Sequence, residues 1–324
     1  MSFYQRYIII FSLAMLLGLA IKPLFFFANL GYPNKAAYHL DGWVQVKDKY
    51  ARTIAKPKVI FISGSNTLFG VDTERIEKEI GMPTVNYGVA IGLNFYILDR
   101  VKSHLKKEDV VILPLEYCFY EYSSDKRFES RDYVFYIIGY DNAFFYALPF
   151  SEKISCIQSV AIQDLIKLSW RRIRPVDTDY NEYYDRKYLN TNGDLTYNPV
   201  SKSMSENDLK KRCGKSVFHI APLSNEAQKE LSNFISYCQQ NGIKVYAAWP
   251  NFYWTEKSFS GKDLGGINAI EEFYREHNVE ILGNYTDCLY DAGLFYNSEY
   301  HLNEEGKRIH TDYLIRLLKE KLNR

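Results

Sequence analysis

KVIFISG (58–64) decides how this chain folds: a short apolar, β-branched run that ends in Gly64-Ser65-Asn66. Such a run predicts a strand buried on both faces, as in a parallel sheet. VDTERIEKEIG (71–81) then has helical spacing and is closed by Gly81. TVNYGVA (84–90) predicts a second strand, LNFYILDRVKSHLKK (93–107) a helix, and DVVILPLEY (109–117) a third, fully apolar strand. The order is βαβαβ.

Outward from this block, the alternation stops after residue 117. An aromatic-rich stretch follows, then a helix around Ser159–Arg172 and a polar segment with the turn 190–194, Asn-Thr-Asn-Gly-Asp. Residues 117–216 therefore read as an insertion, whose Tyr residues and Trp170 suit either stacking on sugar faces or a cap that packs its rings inward. Alternation resumes with a helix at 224–242, a strand at 244–251, a helix at 266–277, a short strand at 279–282 and a C-terminal helix at 303–322. Five strands alternating with helices predict an α/β fold, a three-layer doubly wound parallel sheet with ligands at the carboxyl ends of the strands.

Toward the N-terminus, the uncharged run Tyr7–Ile21 extends to Ala28 if Lys22 snorkels, about 33 Å of helix. The expectation is a transmembrane signal anchor over 1–28, a stalk over 29–56, and one α/β domain over 57–324. Positive charges flank the run on both sides and leave its orientation open.

The chain has 324 residues, 47% hydrophobic, enough to bury a large core. Forty Lys+Arg against thirty-nine Asp+Glu give a net charge of +1, so nothing in the global charge draws the chain to nucleic acid. Cys118, Cys156, Cys213, Cys238 and Cys288 are an odd number, widely spaced and without a C-x-x-C pair. That excludes a zinc ribbon and a complete disulfide framework. No phosphate loop or metal-ligand spacing is present, so neither a metal nor another cofactor is expected.

Ser65 stands at the carboxyl end of the first strand, where its hydroxyl can attack a bound acyl carbon. Gly88, at the end of the second strand, offers a backbone N–H to a developing oxyanion. His301, in the run 295–306 before the last helix, returns to the same strand ends and can serve Ser65 as base. His39, His104, His219, His277 and His310 lack this context, and His104 and His310 fall on helices.

Gly64-Ser65-Asn66, Asn86-x-Gly88 and Tyr300-His301-Leu302-Asn303 with Gly306 resemble the successive blocks of the SGNH/GDSL hydrolase superfamily. More narrowly, they resemble its membrane-anchored extracytoplasmic members that work beside membrane-bound O-acyltransferases. The likeness covers 57–120 and 220–322. It implies Ser65 as nucleophile, His301 as base, and the N–H groups of Ser65 and Gly88 as oxyanion donors. Asn66, Asn86, Glu116 and Tyr300 become the candidate substrate contacts. It also implies a cell-membrane protein with most of the chain extracytoplasmic, transferring or hydrolysing an acyl ester, chiefly acetyl, of a cell-envelope polysaccharide.

Two positions depart from the family pattern. The family's Asp, three or four residues before the His, is replaced by Ser298 and Asn297, and its third-strand Asn by Glu116. A carboxylate donates to an oxyanion only when protonated. These departures motivate a second reading, a catalytically weakened scaffold that binds a glycan or a membrane O-acyltransferase. A third is an ordinary esterase with a cleaved signal peptide.

Overall fold

Strand β1 (Val59–Ser63) is buried at every position, as the apolar run requires. The structure, a computed structural model, describes residues 3–123, 127–173, 185–213, 223–253 and 261–322. His219 lies outside them. After β1 the chain forms α3 (Ser65–Gly70) and α4 (Thr73–Ile80), then β2 (Thr84–Gly88), α5 (Tyr96–Lys102) and β3 (Val110–Leu113). Asp72 caps α4 by accepting from the Arg75 N–H, and Gly81 closes it at φ +69°, where a Cβ would be strained.

Past the insertion come α10 (Glu206–Cys213), α11 (Asn225–Gln240), β4 (Lys244–Ala248), β5 (Phe252–Tyr253), α12 (Gly261–Glu276), β6 (Glu280–Leu282) and β7 (Leu289–Tyr290). The hairpin β8 (Phe295–Ser298) with β9 (His301–Leu302) and then α13 (Glu304–Leu322) finish the chain. One parallel sheet of five strands results, in the order β2-β1-β3-β4-β6. β1 pairs with β2 from Val59↔Thr84 to Ser63↔Gly88 and with β3 from Val59↔Val110 to Phe61↔Ile112. The chain steps from β1 to β2 and then back across β1 to β3, so right-handed connections put successive helices on opposite faces. Val59 and Phe61 face one side and pack with Ile76 and Ile80 of α4 and Leu314 and Leu318 of α13. The strand order reverses between β1 and β3, which makes their carboxyl ends the switch point where such sheets bind ligands.

The chain divides into two compact units: residues 1–41 with 128–181, and 42–127 with 182–324. The first is helical, built from α1 (Phe3–Asn29), α6 (Arg131–Tyr140), α7 (Asn142–Ala147), α8 (Phe150–Ser159) and α9 (Ile162–Ile173). The aromatic stretch packs inward here: Tyr133, Phe135 and Tyr136 are buried, and Phe128 stacks on Tyr133. Among the aromatic residues of this stretch, Tyr146, Phe150 and Trp170 stay exposed. Of the rings the sequence offered for sugar stacking, Tyr133 and Tyr136 are spent on the core of this unit, while Trp170 stays exposed.

The expected transmembrane anchor is corrected. Among the described residues no helix is long and apolar enough to cross a membrane. α1 carries Arg6, Lys22 and Pro23 and belongs to the helical unit. Lys22 does not snorkel; its ammonium donates to the Gln158 carbonyl at 2.7 Å. Phe26 is buried against Phe145, and the Asn29 amide donates to the Leu165 carbonyl and to Ser169 Oγ. The single-pass placement falls with the anchor. Within the stretch 29–56, α2 (Tyr38–Thr53) forms, and the buried ammonium of Lys47 donates to the carbonyls of Asn86 and Gly193.

Candidate active site

From Lys58 to Val71 every residue is buried except Ser65. The turn that ends β1 leads directly into α3, so the Ser65 side chain rises from the carboxyl edge of the sheet where water reaches it. Its Oγ donates to Glu116 Oε1 at 3.1 Å, and the Asn66 N–H donates to the same oxygen at 2.8 Å. Glu116 stands just beyond the end of β3, so both partners sit at the switch point. Gly64 makes the approach feasible, since a Cβ there would lie 2.5 Å from Glu116 Oε1.

Glu116 is almost wholly buried. Burial raises its carboxyl from the ordinary 4.5 to about 7; the negative charge of Glu299 pushes the same way, while the Asn66 N–H and the Ser65 hydroxyl oppose it. Cys118 lies beside it, Sγ 3.9 Å from Oε2, and is itself exposed.

The hairpin β8–β9 brings His301 to the same edge. The Asn198 amide donates to the carbonyls of Phe69 and Leu302, tying β9 to the end of α3. The imidazole lies flat on the Phe69 ring, centroids 4.0 Å apart and planes 4° apart. Its Nδ1 is 2.6 Å from Asn297 Oδ1, so Nδ1–H donates and Nε2 carries the lone pair. Burial, with the positive charge of Arg212 adding to it, lowers the imidazole from 6.5 to about 3. Of the two residues that stand where the family has its Asp, Asn297 contacts the imidazole and Ser298 does not. Ser298 Oγ donates to Glu299 and accepts from the Tyr300 N–H.

Other expected roles are corrected by their partners. The Gly88 N–H donates to Asn86 Oδ1 at 2.9 Å and is not open to an oxyanion. A Cβ on Gly88 would lie 2.5 Å from the Leu68 nitrogen, so this glycine serves the close packing of α3 on β2. Asn86 is fully buried and donates to the Thr67 carbonyl and to Asp194. Asn66 is locked between Ser63 Oγ and the Pro114 carbonyl. Tyr300 accepts the Tyr117 N–H at its hydroxyl and packs edge-on against Phe252. These three side chains act as struts between neighbouring segments. Ser65 opens α3, so its own N–H has no acceptor within the helix.

The sequence reading passed over Phe69, Cys118 and Arg212. Phe69 and Arg212 are ordinary residues far from His301 in sequence, and only the fold relates them to it. Cys118 had a local signal, two positions after the charged residue that interrupts the apolar run. Among the described residues no group of three or more His, Cys, Asp or Glu could hold a metal ion.

No family model matches the chain, and no curated protein does. The likeness to SGNH/GDSL hydrolases therefore rests on the residues quoted above. Among solved structures, one provisionally named a platelet activating factor from Streptococcus pneumonia aligns over 88% of this chain and 94% of its own, at 13% identity and a TM-score of 0.41.

Proposed function

We propose that the chain hydrolyses or transfers acyl esters through an acyl-enzyme on Ser65. One observation carries the reading: a single solvent-reached serine stands at the switch point of a parallel α/β sheet, in hydrogen-bond contact with a proton acceptor. Ser65 Oγ attacks the ester carbonyl, its N–H faces the developing oxyanion, and the alcohol leaves. Water or an acceptor hydroxyl then takes the acyl group. An acetylated sugar is the proposed substrate, on the strength of the motif likeness.

The test is labelling of the purified full chain by a fluorophosphonate, beside cleavage of an aryl acetate, with Ser65→Ala as control. Labelling that depends on Ser65 supports the reading, and its absence defeats it. A second reading is the non-catalytic scaffold binding a glycan or an O-acyltransferase. The engaged Gly88 N–H and the low basicity of His301 favour it. It predicts no labelling of either protein.

A further inference from the structure

We infer that Glu116, rather than His301, is the group that takes the Ser65 proton. The inference rests on the reading that Ser65 is acylated, and it assigns that site a base the sequence likeness does not supply.

Ser65 Oγ already donates to Glu116 Oε1, whereas no hydrogen bond joins it to His301, whose lone pair lies on Nε2. The Asn66 N–H holds Oε1 in place from the opposite chain segment, and the missing Cβ of Gly64 leaves the space for it. A base fixed by a backbone donor and touching the reacting oxygen needs no rearrangement before proton transfer.

Basicity points the same way. An imidazole lowered to about 3 is a feeble acceptor at neutral pH, while a carboxyl raised to about 7 matches the range in which general bases work best. The groups facing Glu116 are Glu299 on the β8–β9 turn, Cys118 on its own loop, and the Tyr300 phenol, which burial pushes well above the ordinary range. None carries a positive charge that would hold Glu116 ionised at low pH.

The steps balance. In acylation the Oγ–H proton passes to Glu116 Oε1 as Oγ bonds to the ester carbon. The carbon–alkoxy bond then breaks, and Glu116 returns the proton to the departing alkoxide. In deacylation, water or an acceptor hydroxyl gives its proton to Glu116 and attacks the acyl carbon, and Ser65 Oγ leaves with that proton. Glu116 ends as the carboxylate it began.

The experiment is the fluorophosphonate labelling rate of wild type, Glu116→Gln and His301→Gln across about pH 5 to about pH 9. The wild-type rate should rise through a midpoint near pH 7. Glu116→Gln, nearly isosteric, should fall by about 10²–10⁴-fold and lose the midpoint. His301→Gln should keep it. A Glu116→Gln rate within about threefold of wild type overturns the inference, as does a flat wild-type profile, while Ser65-dependent labelling leaves the acyl-enzyme reading standing. If Glu116→Gln does not fold, the wild-type and His301→Gln profiles decide by themselves. A wild type that labels at no pH defeats the parent reading.

Discussion

Ser65 and Glu116 meet across the switch point of the sheet, the hydroxyl donating to Oε1 over 3.1 Å from the one position between Lys58 and Val71 that water reaches. Residues 51 apart in sequence are joined because β1 and β3 run side by side in parallel and end at the same edge.

Gly64→Ala tests how tightly that contact is built. Its Cβ would sit 2.5 Å from Glu116 Oε1, so the carboxyl must move off Ser65. Labelling by the fluorophosphonate should drop by at least about tenfold while a cooperative thermal transition persists. A variant that labels like wild type would show that the contact is dispensable.

The same carboxyl should make stability depend on pH. Its pKa is raised on folding from 4.5 to about 7, so the native state binds the extra proton across that window and stability declines as pH climbs through it. Glu116→Gln should remove up to about 3 kcal/mol of this decline, counted at about 1.4 kcal/mol per pKa unit. Urea unfolding of both proteins at the two ends of the window measures it. Parallel pH curves would refute the assignment.

Asn297→Asp places a negative charge on the Nδ1–H of His301. The imidazole should then hold its proton to higher pH than the present value of about 3. An NMR titration of the His301 ring reads this directly, and an unmoved titration would mean that the two side chains do not meet in solution.

Asn86→Ala separates a strut from a substrate contact. The variant loses the donations to Thr67 and Asp194 and leaves the Gly88 N–H without its acceptor. Stability should fall by about 2–4 kcal/mol, roughly two to three buried hydrogen bonds, with KM for an aryl acetate unchanged in the folded protein. A raised KM at unchanged stability would restore the substrate role.

At the opposite end of the sheet, Lys58 and Asp109 form a wholly buried pair, Nζ to Oδ2 at 2.6 Å. Asp109→Asn leaves the ammonium without its counter-charge and should cost about 3–5 kcal/mol. Calorimetry decides, and a melting temperature equal to wild type would contradict the burial.

Much of the α/β unit is legible in the residues because its signals are local. The run 58–64 is apolar on both faces, Asp72 and Gly81 bracket α4, and Ser224 caps α11 by accepting from the Ala227 N–H. The predicted helix over 93–107 shrinks to Tyr96–Lys102, its last turn giving way to the loop that returns to β3. At the site, Asn86 and Gly88 have the expected residue types, but the Asn86 amide donates to the Thr67 carbonyl of α3 and the Gly88 N–H donates to Asn86 Oδ1 two positions away. The N-terminal run misled because length and hydropathy are read one segment at a time. Its partners, Phe145 and Leu165 among them, lie more than a hundred positions away.

The amino-acid order by itself determined the parallel sheet and the helices that alternate with its strands, since periodicity, capping and crossover handedness act over short range. Tertiary structure decided which groups meet: Glu116 for the Ser65 hydroxyl, Asn297 and Phe69 for the His301 imidazole, the helical unit for the N-terminal segment. Hydrogen bonds form and break within a few tenths of an ångström, and only strand register and close packing fix positions that finely.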